Sequence, residues 1–162
     1  MITFVGAGPG DPDLITIKGR KALEKADIII YAGSLVSPEH LTYAKETCEI
    51  YNSAKMHLDE VLDVMVEGDR AGKEIVRLHT GDPSIYGAIQ EQMDPLEKLG
   101  IEFEVIPGVS SFVAAAAAIK KNLPYPMYLK PLSLQGLRGG QMFQNLKILN
   151  LWRPTVPVWP CF

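Results

Sequence analysis

The chain has 162 residues, 47% hydrophobic and 22% charged, with a formal net charge of −3. That length supports one domain with a full core and is short for two. The acidic balance argues against non-specific nucleic-acid binding, which needs a basic face. No apolar run approaches membrane-spanning length, and two cysteines, Cys48 and Cys161, suggest no disulfide framework, so a reducing compartment, the cytoplasm, is expected.

In chain order, Ile2–Gly6 reads as a first strand, without the basic flank or cleavage pattern of a signal peptide. Ile17–Ala26 has helical spacing behind Thr16, a suitable N-cap. Asp27-Ile28-Ile29-Ile30-Tyr31 is rich in β-branched residues and suits a strand buried on both faces. Pro38–Lys45 reads as a helix opened by Ser37 and Pro38, and Glu49-Ile50-Tyr51 as a weak strand. His57–Ala71 places Leu58, Val61, Leu62, Met65 and Val66 on one helical face. Glu74–His79 is the next strand, Ser84–Leu99 a helix closed by Gly100, Glu102–Ile106 a strand, and Ser110–Lys121 an alanine-rich helix. Five βα units in succession predict an α/β fold: a five-stranded, mainly parallel sheet with helices on both faces. Right-handed crossovers would bring the turns after the strands to one edge.

Three of those turns carry glycine. Gly81-Asp82-Pro83 follows the apolar run ending at Leu78; Gly81 lets a ligand approach the backbone, Pro83 stiffens the turn, and Asp82 adds a carboxylate. Gly6-Ala7-Gly8-Pro9-Gly10-Asp11-Pro12 fails as a dinucleotide fingerprint. The third glycine of the motif would fall on Asp11, a negative charge where a pyrophosphate should sit, and Pro9 removes an amide. Nicotinamide and flavin cofactors are therefore disfavoured. Ile106-Pro107-Gly108-Val109-Ser110-Ser111 offers hydroxyls and amides at a helix start, although a serine there is most often a simple cap. Three such turns on one sheet edge predict a cleft.

Other chemistries find little support. His40, His57 and His79 lie on separate elements, with no metal-ligand spacing among themselves or with Cys48, so no metal site is expected. There is neither a nucleophile elbow nor a Walker A lysine motif. Asp59, Glu60 and Glu67 read as a solvated helix face, and Met56, Met65 and Met93 as packing.

The ordered set Gly6–Thr16, Gly81–Gly87 and Ile106–Ser111 resembles the three signatures of the tetrapyrrole methylases, which use S-adenosylmethionine. The resemblance covers about residues 1–125. Tyr31–Val36, Ala54–Leu58 and His79–Met93 are similar to the branch of that family that methylates C-11 of precorrin-4 or cobalt-precorrin-4 in cobalamin synthesis. Siroheme-type members more typically carry Gly-Gly-Asp-Pro-Phe and Phe-Gly-Arg in the second turn. Another corrin or uroporphyrinogen methylase is the alternative within the family, and a non-catalytic ligand-binding α/β module the alternative outside it.

The resemblance implies a homodimeric enzyme with a tetrapyrrole substrate. It implies that Pro9, Thr80, Gly81, Asp82, Ile85, Tyr86, Ser110 and Ser111 contact the cofactor. Met56 and His57 are candidates for the substrate side, and no residue is assigned as a catalytic base.

Past Tyr125 the composition changes. All 19 acidic residues lie within 1–125, whereas 126–162 hold four basic residues and no acid. Residues 1–125 are therefore expected to form the family's N-terminal domain. From about 127 onward, the expectation is an atypical tail, translated out of frame or left from a truncated second domain. A chain with one wall of the cleft is expected to bind cofactor weakly and turn over poorly.

Overall fold

Five short runs rich in β-branched and aromatic residues form the strands β1 (Ile2–Gly6), β2 (Ile28–Tyr31), β3 (Glu49–Asn52), β4 (Ile75–His79) and β5 (Phe103–Ile106). They are seen in a computed structural model that describes residues 1–122. The expectations for 126–162 lie outside the described residues. The sheet order is β3-β2-β4-β1-β5 and every pairing is parallel, with Ile2 opposite both Ile75 and Phe103.

Every residue of β1 and β4 is buried, as a parallel sheet covered on both faces requires. The period-2 alternation sorts side chains between two layers. Ile2, Phe4, Ile28, Ile30 and Ile75 meet α2 (Leu58–Arg70) and α3 (Gln90–Lys98) through Val61, Met65 and Leu96. Val5, Ile29, Val76 and Leu78 face the other way, onto Leu23 of α1 (Ile17–Lys25) and Leu41 and Tyr43 of a 3-10 turn. Met65 is fully buried, so its truncation to alanine should cost about 2–5 kcal/mol.

The connections decide where the crevice lies. β1 and β2 connect toward the β3 edge, β3 and β4 toward the β5 edge. Right-handed crossovers therefore put the first two connections on one face and the last two on the other. The direction reverses between neighbouring β1 and β4, and ligands of open α/β sheets bind beyond the carboxyl ends of such a pair.

Three expected helices differ. Pro38–Lys45 is a six-residue 3-10 turn, Pro38–Tyr43. Its buried His40 is drawn inward, Nε2 lying 2.8 Å from the Ala7 carbonyl oxygen and Nδ1 3.0 Å from that of Ser37. Ser84–Leu99 is helical only from Gln90. Tyr86 and Ala88 have φ of +59° and +48°, which an α-helix cannot accommodate. The alanine-rich helix is shorter than expected: α4 spans Ser111–Ala118. Met56 and Met93 pack against the core as expected of packing residues.

Candidate functional site

The three glycine turns meet at the carboxyl ends of β1, β4 and β5. Gly8 N–H donates to the Gly81 carbonyl (3.2 Å), Gly81 N–H returns the bond to Gly8 (2.7 Å), and Ala7 N–H donates to the His79 carbonyl (2.7 Å). Gly6 and Gly108 lie against the Gly81 carbonyl with no side chain between. A Cβ on Gly6 would stand 2.6 Å from Gly81 O and 2.7 Å from Gly108 Cα, and a Cβ on Gly108 would overlap Gly81 O. Glycine is needed here for close backbone approach, whereas Gly81 also needs it for its φ of +60°.

Asp82 fastens the second turn to the third. Its Oδ1 accepts from Ser84 N–H at 2.8 Å and its Oδ2 from Gly108 N–H at 3.0 Å. Charge-assisted bonds of this kind are stronger than neutral ones. Both carboxylate oxygens thus serve backbone amides, so Asp82 shapes the crevice.

The remaining expected residues surround this junction. Pro9 is half-buried beside Gly8, Thr80 is exposed next to Gly81, and Ser110 is buried. An added Cβ on Gly81 would lie 3.7 Å from both Ser110 Cα and Ser111 N. Ser110 occupies the N-cap of α4, yet its side chain makes no capping bond. The hydroxyl is therefore not spent on the helix, as a plain cap would be. Ile85 and Tyr86 follow on an exposed segment, Tyr86 at 70%, anchored by Ile85 N–H to the Asp82 carbonyl (3.1 Å). A hollow of about 420 Å³ lies along this segment, lined by Tyr86, Ala88, Ile89, Met93 and Val105. His57 is exposed at the start of α2, its N–H donating to Glu60 at 2.6 Å, and Met56 is half-buried.

Two buried polar groups on β4 escape a reading of 74–78 as an apolar run. Arg77 and His79 alternate with Val76 and Leu78 and share the α3 face with Phe4, on which the His79 ring stacks. Burial, reinforced by the Arg77 charge, pushes His79 down to about 3. It is an uncharged imidazole whose Nε2 has no hydrogen-bond partner among the described residues. Burial also pushes Arg77 down to about 10. A strand-period alternation of polar residues at 77 and 79 was the available signal for this buried row.

This architecture is that of a tetrapyrrole methylase. The profile of the Tetrapyrrole (Corrin/Porphyrin) Methylases matches residues 1–128, and the chain belongs to that family. It is 63% identical over 125 residues to a cobalt-precorrin-4 C(11)-methyltransferase of Methanocaldococcus jannaschii, covering 77% of this chain and 48% of that protein. A solved cobalt precorrin-4 methyltransferase superposes with a TM-score of 0.74 at 49% identity, over 78% of this chain and 53% of the other. A uroporphyrin-III C-methyl transferase from Thermus thermophilus, complexed with S-adenosylhomocysteine, gives 0.61 at 33% identity, over 71% and 47%. The chain thus spans about half the length of the relatives it matches.

Proposed function

We propose that the three turns bind S-adenosylmethionine, and that the chain serves methyl transfer to C-11 of precorrin-4 or cobalt-precorrin-4. The carrying observation is the glycine junction of Gly6, Gly81 and Gly108, beside a Ser110 hydroxyl left free of capping. The residues suit that group. The junction leaves bare backbone for close approach, Thr80 and Ser110 offer hydroxyls, Ser111 opens a helix N-terminus, and Ile85 and Tyr86 supply apolar cover. Gly81 and Pro9 shape the floor, and Asp82 keeps two turns in register.

When bound, S-adenosylmethionine supplies an electrophilic methyl group for a nucleophilic ring carbon. What the chain contributes is position and exclusion of water, which can provide most of such an acceleration. Met56 and His57, at the start of α2, are the residues offered to the tetrapyrrole. Identities of 63% and 51% to two cobalt-precorrin-4 C(11)-methyltransferases, against 45% for a uroporphyrinogen-III C-methyltransferase of Bacillus subtilis, support C-11. Family membership supports, as part of the same reading, a homodimeric cytoplasmic enzyme.

Melting curves with S-adenosylhomocysteine and with NAD test the cofactor, since a ligand specific for the folded state raises its stability. Stabilisation by the homocysteine compound alone is expected, with amide shifts confined to the three turns. Stabilisation by NAD alone would overturn the reading. Carbon-13 NMR of the ring after incubation with methyl-labelled donor tests the substrate: label at C-11 is expected, and label only at another ring carbon refutes the assignment.

A further inference from the structure

We propose that Arg77 and Gln92 are positioning residues: together they hold the Tyr86–Ala88 segment, with Tyr86 and Ala88 left-handed, and so set the edge of the crevice. The inference rests on the cofactor reading for its functional consequence, but not for its geometry.

Arg77 is 7% exposed at the middle of the sheet. Among the described residues it forms no ion pair. Its Nη1 donates to the Ile30 carbonyl at 3.2 Å and its Nε to Gln92 Oε1 at 3.0 Å. Gln92 is 5% exposed on α3, and its Nε2 donates to the Ala88 carbonyl at 3.3 Å. The guanidinium has only donors, so it fixes which end of the Gln92 amide faces inward. The other end is thereby aimed, as a donor, at the backbone of the turn. The relay runs from β2 through β4 and α3 to Ala88.

What it reaches holds two of the three non-glycine residues with positive φ among the described residues, the third being Lys120. Tyr86 and Ala88 sit at φ of +59° and +48°, a region that residues with a Cβ rarely adopt. Gly87 between them presses on the Pro83 carbonyl so closely that a Cβ would overlap it. Such conformations persist only where the surroundings over-determine them. A buried guanidinium without a carboxylate is a poor choice for stability, because an apolar side chain of similar volume would serve a core as well or better. Its use is explained by what it orients.

The test uses Gln92→Leu and the double variant Arg77→Met/Gln92→Met in the full chain, with both left-handed residues observed by NMR without ligand. A positive φ gives an intense intraresidue amide–Hα cross-peak. The parent should show it at Tyr86 and Ala88, and both variants should lose it at Ala88. The double variant removes the guanidinium and the amide together, leaving only the Ile30 and Ala88 carbonyls without these donors, so it should stay folded with a modestly lower melting temperature. S-adenosylhomocysteine affinity should nonetheless fall about tenfold, a split that a purely structural pair would not produce. Retention of the Ala88 signal and of affinity in a folded double variant overturns the proposal. If the parent itself binds no S-adenosylhomocysteine, the cofactor reading fails, while the cross-peaks still decide whether the clamp exists.

Discussion

Replacing Gly6 by alanine adds one methyl group at the point where the three turns meet. Gly6 lies in β1 and is not among the positive-φ glycines, so alanine suits its backbone. The whole penalty comes from contact. The new Cβ would stand 2.6 Å from Gly81 O and 2.7 Å from Gly108 Cα and N. All three neighbours are backbone, so no rotamer change relieves them. Restoring ordinary contact needs the turns to part by about 0.8 Å, a misfit of the kind that costs roughly 1–3 kcal/mol in a packed interior. Parting them also weakens the Gly108–Asp82 bond or the Gly8–Gly81 bridge, worth about 1 kcal/mol more. A loss near 3 kcal/mol should lower the melting temperature by roughly 10–15 °C for a domain of this size. S-adenosylhomocysteine affinity, read by calorimetry, should drop with it. Gly100→Ala is the control: Gly100 has φ +70° and open space around its Cβ, so it should lose about 1–2 kcal/mol and no affinity. A Gly6→Ala protein melting within 2 °C of the parent, with affinity intact, would refute the close-packed junction.

Asp82→Asn replaces one amide-accepting oxygen with a donor facing a backbone N–H. It should lower stability by about 2 kcal/mol in urea titrations, and an unchanged midpoint would contradict the bridging role. For His79 the sign follows from its burial: the folded chain keeps the ring neutral down to about 3, while the unfolded chain takes a proton near 6.5. The unfolded state binds more protons between those values, so stability should fall on acidification, by at most about 1.4 kcal/mol per pH unit. Asp27 and Glu49, whose carboxyls are held low by lysine partners, act at more acidic pH than the interval from 6.5 to 5, where the comparison with a His79 variant is made. His79→Gln should flatten that slope in urea titrations, and equal slopes for variant and parent would reject the assignment. Ser110→Ala should weaken S-adenosylhomocysteine binding severalfold in calorimetry with little change in melting temperature. A stability loss without an affinity loss would mark Ser110 as a cap after all.

Much of the fold was readable because the buried parallel strands announce themselves: Ile28-Ile29-Ile30 and Ile75-Val76 have little other use. The turns were readable because glycine at 6, 81 and 108 marks each strand end. The break in the expected 84–99 helix was not. Nothing in Ser84-Ile85-Tyr86-Gly87-Ala88 forbids a helix locally, and the left-handed residues depend on partners supplied by β4 and α3. His40 was equally hidden, since its contact with the Ala7 carbonyl joins residues distant in sequence. Asp82 was expected to add a carboxylate at the second turn, and only the fold shows both its oxygens occupied by amides.

The interior position of β1 bears on how the chain is made. Ile2 leaves the ribosome well ahead of its neighbours on either side, Ile75 and Phe103. At roughly 5–20 residues per second, the nascent first strand waits on the order of 4–15 s for even one of them. Until then an apolar segment has no native mate. Synthesis of this protein therefore favours hosts whose chaperones shelter the emerging β1 segment.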